Sequence, residues 1–158
     1  MDKKILYLDM DGVLVDFVSG IRKYDPEALL PYKDHPDEAP GIFSLMDPIP
    51  GAKEAVERLS EDFDIYILST APWMNPSAWT DKVVWVKEHY GDILKKRIII
   101  SHRKDLLRGD FLVDDRPKHG ASEFQGEWIQ FGSEKFPTWD TVEKYLATKK
   151  GNVDKSGW

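Results

Sequence analysis

The chain has 158 residues, which suits one domain of ordinary size and is too short for two full-sized domains. Its 22 basic and 28 acidic residues give a net charge of -6, so a nucleic-acid polymer or an anionic membrane surface is a poor partner. Cysteine is absent, which excludes disulfides, thiolate catalysis and Cys-ligated zinc and favours a reducing compartment, the cytoplasm. The sequence contains no recognisable signal peptide or membrane span.

Short apolar runs alternate with helical patterns along the chain. The runs predict five buried strands, because each is short, apolar and followed by a turn or a polar residue; they cover residues 5–8, 65–68, 98–100, 111–113 and 128–131. Apolar residues at helical spacing predict helices at 52–59, from the N-cap Ser77 to about residue 90, and at 138–149. Residues 13–24 are predicted to form a turn followed by a helix. This alternation is typical of an α/β fold with a mostly parallel sheet covered on both faces.

Residues 25–50 break the pattern. Six of the ten prolines fall in this segment, and long regular elements are hard to build at that density. We interpret it as an irregular surface excursion anchored by Phe43, Leu45 and Met46. We expect residues 1–150 to form a single domain and residues 151–158 to form a polar, flexible tail.

Polar side chains follow several of the predicted strands. Because ligands of parallel α/β sheets lie beyond the carboxyl ends of the strands, these residues are expected to meet at one site; they are Asp9, Asp11, Ser69, Thr70, Asp114 and Asp115. Carboxylates so close together would repel one another and raise their pKa values, and a bound divalent cation removes that conflict. Oxygen ligands without patterned Cys or His favour Mg²⁺ over zinc.

The other strand-end residues suit a phosphate group. Ser69 and Thr70 offer hydroxyl and backbone N–H donors, and Lys104, ten residues before Asp114, can supply a positive charge. A nucleophilic carboxylate, a general acid, a metal, hydroxyl donors and a cation are the groups that phosphoryl transfer through an aspartyl-phosphate requires.

Four segments, taken in order, resemble the motifs of the haloacid-dehalogenase-like phosphohydrolase superfamily. They are residues 9–14 (DMDGVL), 68–70 (LST), Lys104 and 113–115 (VDD). Each alone is a weak signal, whereas all four in order after apolar strands form a specific pattern over residues 5–117. A finer resemblance, to the 5′(3′)-deoxyribonucleotidase branch, rests on residues 9–16 (DMDGVLVD), Phe17, 43–44 (FS), 48–52 (PIPGA), 69–72 (STAP) and 112–117 (LVDDRP).

The resemblance implies a role for each matching carboxylate. Asp9 would attack phosphorus and become phosphorylated. Asp11 would protonate the leaving group and then activate water. Mg²⁺ would be held by the Asp9 carboxylate, the Asp11 backbone carbonyl, and Asp114, Asp115 or both.

The remaining matches concern the substrate. Ser69 and Lys104 would hold phosphoryl oxygens with Thr70 nearby, and Phe17 and Phe43 would line a nucleoside pocket. The implied fold is Rossmann-like with three layers and a small cap insertion at about 17–50. The implied activity is Mg²⁺-dependent hydrolysis of nucleoside monophosphates by a cytoplasmic enzyme.

Three alternatives stay open at this point. The Pro-rich stretch 25–40 has no match in that branch, so another small phosphate ester, such as a sugar phosphate, remains a candidate substrate. A catalytically silent nucleotide-binding protein on the same fold is a second reading, although none of the motif residues is missing. A homodimer is compatible with the sequence, which does not fix the oligomeric state.

Overall fold

A computed structural model describes residues 2–151 of the chain, so all but the first residue of the predicted tail lies outside the described residues. Within residues 2–151, five strands form the central sheet: β1 (Lys4–Leu8), β4 (Phe63–Ser69), β5 (Ile98–Ile100), β6 (Phe111–Asp114) and β7 (Glu127–Gln130). Two short strands, β2 (Val15–Asp16) and β3 (Asp47–Pro48), pair separately as an antiparallel ribbon.

The order of the central sheet is β5-β4-β1-β6-β7, and each of these neighbouring pairs is parallel. In β1, Leu6 pairs with Ile65 on one side and Phe111 on the other. Leu6 and Leu8 belong to the main apolar core, whereas Tyr7 packs in a second cluster with Leu112 and Phe124. Because alternate residues of a strand point to opposite faces, both faces of the sheet are covered. The predicted α/β class with a mostly parallel sheet is confirmed.

The helices are α1 (Phe17–Lys23), α2 (Pro26–Leu29), α3 (Ala52–Leu59), α4 (Pro76–Tyr90) and α5 (Trp139–Ala147). Helix α4 begins two residues earlier than predicted, with Asn75 and not Ser77 at the N-cap and Pro76 at the first helical position. The Ser77 hydroxyl instead donates to Asn75 Oδ1. Helix α5 starts after a capping box formed by Thr138 and Thr141, close to the predicted start.

Residues 13–24 form the predicted turn and helix, with the short strand β2 between them. After Asp11 the chain turns sharply, and the N–H groups of Val13, Leu14 and Val15 all donate to the Met10 carbonyl, at 2.8–3.1 Å. Val15 then pairs with Pro48 in the ribbon of β2 and β3. The helix therefore begins only at Phe17, because the residues before it are committed to the turn and the ribbon.

The excursion over 25–50 contains α2, three 3₁₀ segments (Leu30–Tyr32, Pro36–Glu38 and Ile42–Leu45) and β3, in agreement with the predicted lack of long elements. Phe43 and Met46 are buried in the core, as expected of an anchor, whereas the third predicted anchor residue, Leu45, is only half-buried and lies outside the buried core. Side chains of α4 and its N-cap hold the excursion in place. Trp85 Nε1 donates to the Met46 carbonyl at 2.8 Å, and Asn75 Nδ2 donates to the carbonyls of residues 37 and 39. Within residues 2–151, no helix has the length and apolar character needed to cross a membrane.

Candidate active site

The carboxyl ends of three adjacent strands bring the predicted site residues together. Asp9 follows β1, Ser69 ends β4 and Asp114 ends β6, and all three side chains are buried. The Asp9 N–H donates to the Val113 carbonyl at 2.9 Å, which extends the β1–β6 pairing up to the site. The sheet order therefore places the predicted nucleophile between the strand that carries Ser69 and the strand that carries Asp114.

The turn after Asp9 depends on Gly12. Its φ is +80°, a conformation that other residues adopt only with strain. A Cβ at this position would also overlap the carboxylate of Asp115. Because Gly12 has no side chain, the segment 9–14 can lie in direct contact with Asp115 of the segment 113–115.

Three carboxylates form a compact cluster. Asp9, Asp114 and Asp115 each offer an oxygen, and these oxygens lie within 4.8 Å of one another. Burial raises the pKa of Asp9 to about 7; Lys104 opposes this rise, while Asp114 and Asp11 add to it. Burial also raises the pKa values of Asp114 and Asp115. Such carboxylates take up protons readily unless a cation compensates their charge.

Lys104 is buried between two of these carboxylates. Its Nζ donates to Asp9 Oδ1 at 3.1 Å and to Asp114 Oδ2 at 2.5 Å. Burial lowers the pKa of Lys104, but the attraction of both carboxylates outweighs it and the net shift is upward. The backbone N–H of Lys104 donates to the His119 carbonyl at 2.7 Å, which fixes the loop after β5 to the loop after β6.

A second buried lysine, Lys82 of α4, was missed by the sequence analysis. Its side chain is 0% exposed, and its Nζ donates to Asp11 Oδ2 at 3.1 Å and to Ser69 Oγ at 2.9 Å. The same Nζ lies 4.6 Å from the centre of the Phe43 ring, a cation–π contact. Asp9 and Asp11 therefore each contact a buried ammonium group.

The spacing of α4 contained a signal for Lys82. Ala78, Lys82 and Val86 are four residues apart and share one face of the helix, and all three are buried. A lysine on the apolar face of a helix is rare unless it is paired, because burying an isolated charge is costly.

The other predicted residues take different positions around this centre. The Thr70 hydroxyl donates to the Ser101 carbonyl at 2.7 Å and so ties the loop after β4 to the loop after β5. The rings of Phe17 and Phe43 pack edge to face with centroids 5.8 Å apart. Phe43 is only 3% exposed, whereas Phe17 is half-buried. Their predicted contacts with a substrate stay predictions.

The carboxylate cluster fits a hard divalent cation. Among residues 2–151, Asp115 Oδ1 and Asp11 Oδ1 are buried side-chain oxygens without a hydrogen-bond partner. Both oxygens of Asp114, by contrast, accept hydrogen bonds, from Lys104 Nζ and from the Arg116 N–H. An all-oxygen donor set suits Mg²⁺, and Asp115 is the member of the pair with a free oxygen.

Comparison with known proteins identifies the family. The model of the family described as "5' nucleotidase, deoxy (Pyrimidine), cytosolic type C protein" matches residues 24–143. A protein of Vibrio phage KVP40, named "Putative 5'(3')-deoxyribonucleotidase", is 51% identical over 148 residues, covering 94% of this chain and 87% of that protein. The chain belongs to this nucleotidase family. The predicted resemblance is confirmed.

Two further comparisons agree with this membership. The human "5'(3')-deoxyribonucleotidase, cytosolic type" is 29% identical over 150 residues, covering 77% of this chain and 75% of the human protein. A haloacid dehalogenase-like hydrolase from Streptococcus pneumoniae superposes with a TM-score of 0.56 over 90% of each chain, at 15% identity. That likeness shows a shared fold. The nucleotidase match over 24–143 includes Ser69, Lys82, Lys104 and the 114–115 pair.

Proposed function

We propose that this chain is a Mg²⁺-dependent phosphomonoesterase that hydrolyses nucleoside monophosphates through a phosphorylated Asp9. The observation that carries the proposal is the pairing of Asp9 and Asp11 with two buried lysines, Lys104 and Lys82. Two carboxylates next to two fixed ammonium groups combine a nucleophile and a proton carrier with a binding site for an anion. Family membership supports the same chemistry, since the names of its relatives describe nucleotidases.

Asp9 and Asp11 divide the reaction between them. An oxygen of Asp9 attacks phosphorus while the ester P–O bond breaks and the leaving alkoxide takes a proton from Asp11. Asp11 then removes a proton from water, whose oxygen attacks the same phosphorus. Inorganic phosphate leaves, and Asp9 is restored as a carboxylate. We assign the proton transfer to Asp11 Oδ1, because Lys82 already occupies Oδ2.

Ser69, Lys82 and Lys104 hold the phosphoryl oxygens. The Ser69 hydroxyl and the Lys82 ammonium are already in contact at 2.9 Å, so both donors converge on one position beside Asp11. Lys104 approaches from the side of Asp9. Donors fixed in this way stabilise the charge that develops on the phosphoryl oxygens without having to reorganise during the reaction. Thr70 contributes by holding its loop against Ser101.

The metal would be held by Asp9, Asp115 and the backbone carbonyl of Asp11. Asp114 would act indirectly, since it orients Lys104 and accepts the Arg116 N–H. When bound, Mg²⁺ neutralises the clustered carboxylates and draws negative charge from the phosphoryl group.

Substrate selection is assigned to a small cap that contains the excursion and α1. In this proposal residues 1–150 form one domain, residues 17–50 form a small cap, and Phe17 and Phe43 face the nucleoside. The excursion is suited to this role because Phe43 links it directly to Lys82. The cytoplasm is the proposed compartment, in line with the name of the human relative.

Phosphate release from a panel of monophosphates, with and without Mg²⁺, tests the proposal. The panel contains ribo- and deoxyribonucleotides, sugar phosphates and one aryl phosphate, with Asp9→Asn as the inactive control. We expect Mg²⁺-dependent release with a preference for deoxynucleotides. Release from sugar phosphates alone would refute the nucleotide assignment, and no Mg²⁺-dependent release from any compound would refute the chemistry.

A further inference from the structure

Four rings form a cluster beside the proposed active site, here named the rim cluster: Trp73, Trp79, His102 and His119. The His102 ring contacts each of the others, with centroids 6.1 Å from Trp73, 5.8 Å from Trp79 and 6.0 Å from His119. None of these residues has a role in the chemistry proposed above.

Three members of the rim cluster lie on the loops that carry the proposed catalytic residues. Trp73 follows β4 and Ser69, His102 lies between β5 and Lys104, and His119 follows β6. Strands β5 and β6 are separated in the sheet by β4 and β1. His102 and His119 therefore meet over the sheet edge at which Asp9 and Ser69 are placed.

The cluster is held to the active-site loops by specific contacts. His102 Nε2 lies 3.0 Å from the Ala71 carbonyl, to which it donates in its Nε2–H form. The Asn75 N–H donates to the Pro72 carbonyl at 3.2 Å and closes a turn around Trp73. The His119 carbonyl accepts the N–H of Lys104. The loops that carry the rings are thus held to the loops that carry the phosphate-binding donors.

Trp73 is the member of the cluster that offers an open ring. Its side chain is 78% exposed, although His102 contacts it from one side. A single exposed apolar residue needs no explanation, but an indole on a catalytic loop with a ring packed against it provides a flat surface for another planar ring. Trp73 is four residues from Ser69, so their Cα atoms are at most about 14 Å apart, within the reach of a phosphorylated nucleoside.

We propose that Trp73, supported by His102, adds to the selection made by the cap by stacking on the base of the nucleoside monophosphate. This inference rests on the proposed function and adds to it a preference for esters whose leaving group carries a planar heteroaromatic ring. Stacking on an aromatic side chain tolerates different bases, because every base has a π-face. The rim cluster would therefore separate nucleotides from sugar phosphates more strongly than it separates one base from another.

The test compares a substrate that has a base with one that has a hydroxyl group in its place. For the wild type and each variant, kcat/KM is measured for a deoxynucleoside 5′-monophosphate and for deoxyribose 5-phosphate. Trp73→Ala should reduce the ratio of the two kcat/KM values by about 5- to 150-fold, the range found for the loss of one stacked base, mainly through KM of the nucleotide. Trp73→Phe should keep most of the ratio. The control is Met74→Ala, since Met74 is the neighbouring exposed residue, and it should leave the ratio unchanged.

The outcomes separate this inference from the proposed function. An unchanged ratio in Trp73→Ala, or an equal loss on both substrates, overturns the stacking role while the wild type remains a nucleotidase. A wild type without activity on any nucleotide refutes the proposed function, and the role of Trp73 falls with it.

Discussion

Replacing Lys82 by methionine removes one ammonium group from the centre of the proposed site while keeping an unbranched side chain that is one atom shorter. The lysine is fully buried, donates to both Asp11 and Ser69, and lies over the Phe43 ring, where a thioether is also well accommodated. Losing one fixed donor to a developing oxyanion costs about 10²–10³ in kcat. We therefore expect Lys82→Met to lower kcat by about 10²- to 10³-fold.

The effect on stability should be much smaller than the effect on catalysis. Breaking a fully buried ion pair costs about 3–5 kcal/mol, but Asp11 is 24% exposed and water can solvate its freed oxygen. We expect the free energy of unfolding to fall by about 1–2 kcal/mol, which leaves the protein folded. The control is Lys87→Met, which changes an exposed lysine of the same helix.

Steady-state kinetics and urea unfolding of the two variants measure both quantities. A Lys82→Met protein that is folded and retains wild-type kcat would refute the assignment of Lys82 to the phosphoryl group. An equal loss of kcat in Lys87→Met would show that the effect is not specific to the buried position.

Three further predictions concern the carboxylates and the turn. Asp11→Asn should lower kcat by about 10²- to 10⁴-fold, because the proton-transferring carboxylate is lost. The backbone carbonyl of residue 11 is retained, so the Mg²⁺ concentration for half-maximal activity should not change, and a large shift of that concentration would contradict the assignment. Gly12→Ala should raise the Mg²⁺ concentration for half-maximal activity, because the new methyl group displaces Asp115. The control is Gly41→Ala, where φ is +79° and the surrounding space is open; it should introduce similar backbone strain and leave that Mg²⁺ concentration unchanged. With the metal removed by EDTA, the pKa of Asp9 is about 7 in the native protein and about 3.8 in the unfolded chain. The native state therefore holds the proton more tightly, and the free energy of unfolding should fall as the pH rises from about 4 to 7. Urea melts should show a weaker fall in Asp9→Asn, and an unchanged slope would refute the raised pKa.

The sheet and the strand-end carboxylates could be predicted from the sequence because local pattern and topology agree there. A short apolar run that stops at Asp9, or at Asp114, fixes both the strand and the position of the acid. Parallel pairing then places the strand ends at one edge of the sheet. The same reasoning located Ser69 at the end of β4.

Features that depend on contacts between distant segments were not predictable in the same way. Lys82 lies inside a helix, and its role appears only when α4 packs against the loops after β1 and β4. The short strand between the predicted turn and α1 forms because Val15 pairs with Pro48, 33 residues further along the chain. The N-cap of α4 is Asn75, whose side chain makes no capping hydrogen bond and instead donates to carbonyls of the excursion, a long-range contact that the local sequence does not show.

Trapping the covalent intermediate tests the central claim most directly. The protein is mixed with Mg²⁺ and a deoxynucleoside monophosphate labelled in the phosphate, quenched in acid within the first turnover and digested with a protease. We predict that the label is found on the peptide that contains Asp9 and is absent from the same peptide of Asp9→Asn. Release of labelled phosphate in the first turnover at the wild-type rate by Asp9→Asn, or label on a different peptide, would contradict the account.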